Sequence, residues 1–271
     1  MALAGCVGGE RHETTIHRTW PATAINRLEI HEIDGSVSVE PGMGDEVEMT
    51  AHVRSRGVEP KKNEENEGYF RTEVRGDTLQ IGRRGRHAHF FFFDTNNISV
   101  DYTLRVPPRV TLAVQTVNGH IETRGVDGET QLTTVNGRID AEHSGTSEFS
   151  AHTVNGRVRA TFLRDFNGAQ LKTVNGGVEA ILPPSASFAC DVSQVNGDFQ
   201  TVFPLSIHSH PGSRRVSGDV NGGKYELRIT TVNGDIQLEN TTVPPVPPAP
   251  PSLPAMPTPP APPAPPAPPV G

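Results

Sequence analysis

Two histidine pairs, His87-Ala88-His89 and His208-Ser209-His210, have the spacing at which an extended chain puts both imidazoles on one face. A metal ion accepts such a pair when carboxylates or thiolates complete its set. No Asp, Glu or Cys stands at fixed spacing beside either pair, so both read as solvated loop histidines. Glu122 and Asp140 would lie on adjacent layers of a stacked β structure, and carboxylates about 5 Å apart can serve glycoside hydrolysis. Arg159 and Glu179 continue that column, which reads more simply as a mixed-charge solvated face. Arg75-Gly76-Asp77 is a receptor-binding tripeptide in some adhesion proteins, but between two strand-like runs its Gly-Asp is a turn signal. Phe90-Phe91-Phe92-Phe93, after Arg83-Arg84-Gly85-Arg86, suits a cap over an open β end; exposed, it would be a contact patch. The chain lacks Gly-x-Ser-x-Gly, His-Glu-x-x-His, a phosphate loop and a dinucleotide fingerprint. The expectation is a protein without a catalytic site, cofactor or metal.

Cysteine is rare, with Cys190 in an apolar run and Cys6 closing Leu3-Ala4-Gly5-Cys6. Cys190 reads as a small buried hydrophobe. Leu3 to Cys6 matches a bacterial lipobox, the signal that exposes a cysteine for lipid attachment. Only Met1 to Gly5 precede it, shorter than the roughly 7–15 apolar residues of a signal peptide. The expectation is therefore a gene that extends upstream and an acylated Cys6, with Val7 suiting outer-membrane sorting. No run of about 20 apolar residues occurs, and a net charge of −7 with a pI near 5.9 argues against nucleic acid as partner.

What must position any of these groups is a repeat. Val-Asn-Gly recurs at 117, 135, 154, 174, 195, 220 and 232, at spacings of 18, 19, 20, 21, 25 and 12 residues. The pairs are Asn118-Gly119, Asn136-Gly137, Asn155-Gly156, Asn175-Gly176, Asn196-Gly197, Asn221-Gly222 and Asn233-Gly234. Thr precedes the Val at 116, 134, 153, 173 and 231. An apolar residue lies three before most copies (Val114, Leu132, Ala151, Leu171, Val192, Ile229). Another follows two after the Gly (Ile121, Ile139, Val158, Val178, Phe199, Ile236). This is the period-2 pattern of half-buried strands broken by a corner, where Asn-Gly supplies positive φ. Weaker glycines at 128, 145 and 168 mark a second turn in each unit. One unit cannot bury its apolar face, but stacked units can, with Asn and Thr in ladders. A hairpin meander explains the glycines without explaining the constant offsets. Gly156 is expected to be central and Gly234 to lie in the final layer.

Ile30, Ile33-Asp34-Gly35, Val37 and Val39 repeat the same offsets far upstream, followed by less regular alternating runs. From Pro244 to Pro269 there are 16 prolines in 26 residues, a chain barred from sheets that prefers polyproline II. The expected fold is all-β: a parallel β-solenoid, β-helix-like, with a less regular N-terminal β region and a disordered Pro-rich tail that serves as a spacer. The expected divisions are 1–21 (lipobox and linker), 22–110 (N-terminal β region), 111–240 (repeat solenoid) and 241–271 (tail).

The phrases LTTVNGRIDA, LKTVNGGVEA and LRITTVNGDIQLE, after LRVPPRVTLAVQTVNG, resemble the bacterial putative-adhesin family of β-strand-repeat domains of unknown function. The resemblance spans about residues 25 to 240. It implies a β-solenoid on an exported envelope protein, sometimes encoded near envelope-stress regulators, and brings no catalytic residues. The resulting expectation is an exported, lipid-anchored protein of the outer membrane or cell surface. It would bind or display toward an envelope or extracellular ligand or protein partner, with the membrane reached through Cys6. A stress-pathway scaffold or sensor is the alternative, and a polysaccharide-active β-helix the less favoured one.

Overall fold

The structure, a computed structural model, describes residues 11–56, 70–82, 98–143, 147–210 and 213–241. Cys6, His87, His89, the Phe90–Phe93 run and the Pro-rich tail lie outside them, as do the side chains of His208 and His210.

Two sheets of ten and eleven strands carry the fold. Each repeat unit gives one strand to each. Thr111–Gln115, Thr130–Thr133, Phe149–His152 and Ala169–Lys172 lie side by side in the eleven-stranded sheet. Ile121–Val126, Ile139–His143, Val158–Phe162 and Val178–Leu182 do so in the ten-stranded one. All neighbours within these two sets are parallel and in register, apart from a bulge at Gly125, so Ile139 sits over Ile121 and under Val158. The alternating pattern turns Ile121, Ile139, Val158, Val178 and Ile236 into a fully buried column. Opposite it stand Val114, Leu132, Ala151, Leu171 and Ile229, equally buried. Edge-to-face rings Phe149, Phe162, Phe166, Phe188 and Phe203, with centroids 5.1–5.8 Å apart, fill the interior beside the second turn. This is the parallel solenoid that the offsets require.

The expected division at residue 110 does not interrupt the core, which runs from Ile16 to Leu238. Arg27–His31 and Val37–Pro41 form a coil beneath the first repeat, and Thr78–Gly82 with Ile98–Val106 form the coil below that, all parallel. Antiparallel strands then close this basal end: Glu46–Arg56 on Ile98–Val106, Arg11–Pro21 on Glu46–Arg56, and Arg71–Arg75 on Thr78–Gly82. Residues 11–21, read as linker, are thus an eleven-residue strand. Its sequence disguised this, because Ile16 is its one buried apolar side chain.

The other end departs from chain order. Tyr225–Asn233 and Ile236–Asn240 do not form the last coil. They lie between the Ala169–Leu182 coil and the one made by Phe188–Asn196 and Phe199–Thr201. The chain therefore leaves a slot open after Leu182, builds the terminal coil, adds Ser206–His210 and Ser213–Val220 antiparallel beyond it, and returns to fill the slot. Asn221-Gly222 is not a repeat corner. Asn221, at φ +50°, holds the return crossing by donating from Nδ2 to the Pro184 and Ala186 carbonyls (3.2 and 2.9 Å).

Four of the corner glycines are also explained differently from the expectation. Gly119, Gly137, Gly156 and Gly176 do not adopt positive φ. A Cβ built on each would lie 1.8–2.0 Å from the carbonyl oxygen of the corner glycine in the coil beneath. Glycine is required by close backbone approach. Gly234 is under the same constraint, 1.9 Å from the Gly176 oxygen, and it also takes the expected positive φ (+158°), as Gly197 does (+127°). Because its coil is interior, Gly234→Ala should destabilise about as much as Gly156→Ala, roughly 2–3 kcal/mol each. Denaturant melts check this, and a negligible shift for Gly234→Ala beside a large one for Gly156→Ala would refute the inserted coil.

Candidate functional site

The most ordered polar feature is the corner itself. Asn118 donates from Nδ2 to Asp34 Oδ1 (2.8 Å), Asn136 to Asn118 (2.9 Å), Asn155 to Asn136 (2.8 Å) and Asn175 to Asn155 (2.9 Å). Asn233 then donates to Asn175 (2.9 Å) and Asn196 to Asn233 (2.8 Å), following spatial rather than chain order. A buried column runs beside it. Thr116, Thr134, Thr153, Thr173 and Thr231 each donate from Oγ1 to the corner-glycine carbonyl one coil below, at 3.0–3.4 Å. In the terminal coil Gln194 takes that place, its Nε2 donating to the Gly234 oxygen at 2.8 Å. The recurring Thr, Asn and Gly thus satisfy one another along the stack and offer no convergent reactive group. The Val before the corner Asn faces outward, 37–45% exposed at Val117, Val135, Val195 and Val232.

Glu122, Asp140, Arg159 and Glu179 do form one column on the outer face of the ten-stranded sheet. Each acid already has a basic partner: Arg124 on Glu122, Arg138 on Asp140 at 2.9 Å, and Arg159 on Glu179 at 3.3 Å. The depression over them, about 320 Å³, is open and shallow. Carboxylates each held by an arginine on an open face lack the enclosure of an acid–base pair. Arg75-Gly76-Asp77 is a hairpin tip with Gly76 at φ +62°; Arg75 is held by Glu73 at 2.8 Å, and Asp77 accepts from Asn26 at 3.2 Å. Among the described residues no cluster of His, Cys, Asp or Glu is arranged to hold a metal ion. Cys190 is a buried free thiol whose pKa burial pushes up to about 12, an inert packing residue.

A larger groove, about 550 Å³, crosses the outer face of the eleven-stranded sheet. Its floor is low because Ser150 and Gly168 are small; Glu129 and Glu148 flank one side, Tyr225 and Arg228 the other. The sequence held a signal for it. Glu129, Glu148 and Glu226 each stand three residues before the apolar residue that precedes a corner, and Gly168 breaks that column. A third hollow, about 390 Å³, lies at the basal end among Arg11, Glu13, Asp34, Arg54 and Arg56.

His143 is buried against Phe149 and Phe162, its Nε2 3.3 Å from the Ser147 carbonyl. Desolvation lowers its pKa from the ordinary value, against the smaller opposing pull of the Ser147 and Val126 carbonyls and Asp127. Half-buried His152 is lowered too, by burial and then Lys172. The unfolded chain therefore takes up protons first. Stability is whole above the unfolded histidine pKa of about 6.5 and falls as pH drops below it. Thermal melts between pH 7 and 5 should show this slope, and His143→Phe should flatten it; an unchanged slope would remove burial of His143 as the cause.

Residues 110–239 match the family model described as Toastrack DUF4097. No curated protein matches the chain. Among solved structures, the chain is similar to a "putative cell adhesion protein" from Clostridium sporogenes. They share 10% identity, the alignment covers 84% of this chain and 100% of that one, and the TM-score is 0.45. A "putative adhesin" from Bacteroides fragilis aligns at 8% identity over 83% and 97%, with a TM-score of 0.32. A "putative lipid binding protein" from Parabacteroides distasonis aligns at 10% over 83% and 96%, with a TM-score of 0.33.

Proposed function

We propose, for a chain whose residues 110–239 match the Toastrack DUF4097 family model, that this protein is a non-enzymatic binding and display module of the bacterial cell envelope. The observation that carries the reading is the pairing of every acid in the Glu122 column with its own arginine on an open face. Such a face suits recognition of an extended partner along the stack and is poor for bond cleavage, which needs unpaired groups converging in an enclosed site. The groove above Ser150 and Gly168 supplies a concavity with an aromatic ring and both signs of charge at its rim.

The chain reaches the envelope, on this reading, by export and acylation of Cys6. No described helix is long and apolar enough to cross a membrane, and this says nothing of strands. The stress-pathway scaffold or sensor is the second reading, favoured only by the self-satisfied ladder, which leaves little of the corner free for a ligand.

Purified chain incubated with isolated cell-wall sacculi separates the readings. Retention without new reducing ends is expected. Time-dependent release of reducing ends would establish an enzyme, and absence of retention would favour the scaffold. Mass spectrometry of protein from the native envelope should find Cys6 acylated, and an unmodified Cys6 would end the anchoring reading.

A further inference from the structure

The basal end carries a charge arrangement that the fold itself does not use. Arg11 and Arg56 open the register between Arg11–Pro21 and Glu46–Arg56, directly opposite one another. Direct cross-strand partners project from the same face, and like charges there are destabilising. No hydrogen bond or ion pair engages either guanidinium among the described residues. The neighbouring outward pair is different: Glu13 faces Arg54, and Arg54 also binds Asp101. At the far end of the same two strands the outward residues turn acidic, with Glu46 and Glu48. The strand pair is therefore basic at one end and acidic at the other. Its basic end borders the hollow of about 390 Å³.

We propose that Arg11 and Arg56 form a docking site for the phosphate headgroups of anionic phospholipids and seat the basal end of the solenoid on the membrane. The proposal deepens the anchoring reading and rests on it for its orientation. Five peptide units separate Cys6 from Arg11, so Arg11 lies within about 18 Å of Cys6, with Arg56 directly across from it. A chain of net charge −7 is repelled by an anionic surface except where its charge is locally positive. Headgroup phosphates relieve the repulsion between the two arginines and take the fork-shaped donors that guanidinium groups provide.

Vesicle flotation tests this with the full chain carrying Cys6→Ser, so that docking is read without acylation. Binding is expected to phosphatidylcholine vesicles containing a quarter phosphatidylglycerol, to weaken with added salt, and to be absent on pure phosphatidylcholine. Arg11→Gln with Arg56→Gln should weaken binding about thirtyfold, each arginine near such a surface being worth about fivefold. Arg109→Gln with Arg164→Gln removes the same charge from exposed positions elsewhere and should leave binding unchanged. Arg11→Lys with Arg56→Lys keeps both charges and should retain most of it. The glutamine pair should melt no lower than wild type, since a repulsive contact is gone. The proposal is overturned if the glutamine pair binds like wild type, if the control pair loses as much, or if neutral vesicles hold the protein equally well. An unmodified Cys6 in native protein would sink the anchoring reading alone, because none of these vesicle results depends on acylation.

Discussion

Glycine stacked on glycine at one corner governs this molecule. The corner backbones approach so closely that a single added carbon would sit about 2 Å from the carbonyl beneath. That contact fixes the register of every coil on the next, and the register decides everything else. It places threonine hydroxyls over glycine carbonyls, asparagine amides over asparagine oxygens, and the inward aliphatic residues into unbroken columns. Slip by one residue would reverse all three at once. The amide ladder also has a direction, each side chain donating downward, and it ends on Asp34. A carboxylate only accepts, so the bottom rung leaves no amide donor unsatisfied.

Such a stack spends its recurring polar residues on itself, which shapes what the surface offers. The asparagines are exposed yet already bonded, and the acids of the Glu122 column are paired along or across strands. Uncommitted chemistry is displaced to places where the repeat is imperfect. Gly168 interrupts a glutamate column and makes a groove; the antiparallel closure at the base sets two arginines opposite each other. Departures from periodicity, rather than the period, are where a partner finds unused groups.

Much of this was legible in the sequence. Constant offsets around Val-Asn-Gly identified the inward positions Ile139, Val158 and Val178; the upstream Ile33-Asp34-Gly35 phrase repeats those offsets, yet reads as part of a separate, less regular region although it is a coil of the same stack. The reason for the glycines was not legible, since φ preference and close approach select the same residue. Nor was coil order: the Val-Asn-Gly copies at 195 and 232 look alike, and nothing local says that the later one lies inside the earlier. Asn221-Gly222 repeats the corner's letters in a crossing loop, where the asparagine binds carbonyls instead of its own kind. Arg11 and Arg56 are 45 residues apart, and only the antiparallel register brings them together.

The inserted coil bears on how the molecule comes into being. An ordinary solenoid can grow as it emerges, each new layer templated by the one before. Here the layer after Leu182 is supplied by residues 225–240, among the last of the core to be synthesised. Until they arrive, the coil of residues 188–201 has no parallel neighbour beneath it: Phe188–Asn196 can pair with Ser213–Val220 alone, or settle in the wrong slot and be displaced. Assembly is therefore gated by the C-terminal part of the core. A chain arrested before residue 225 has an exposed parallel edge on the Ala169–Leu182 coil, the kind of surface that chaperones cover and neighbouring chains invade.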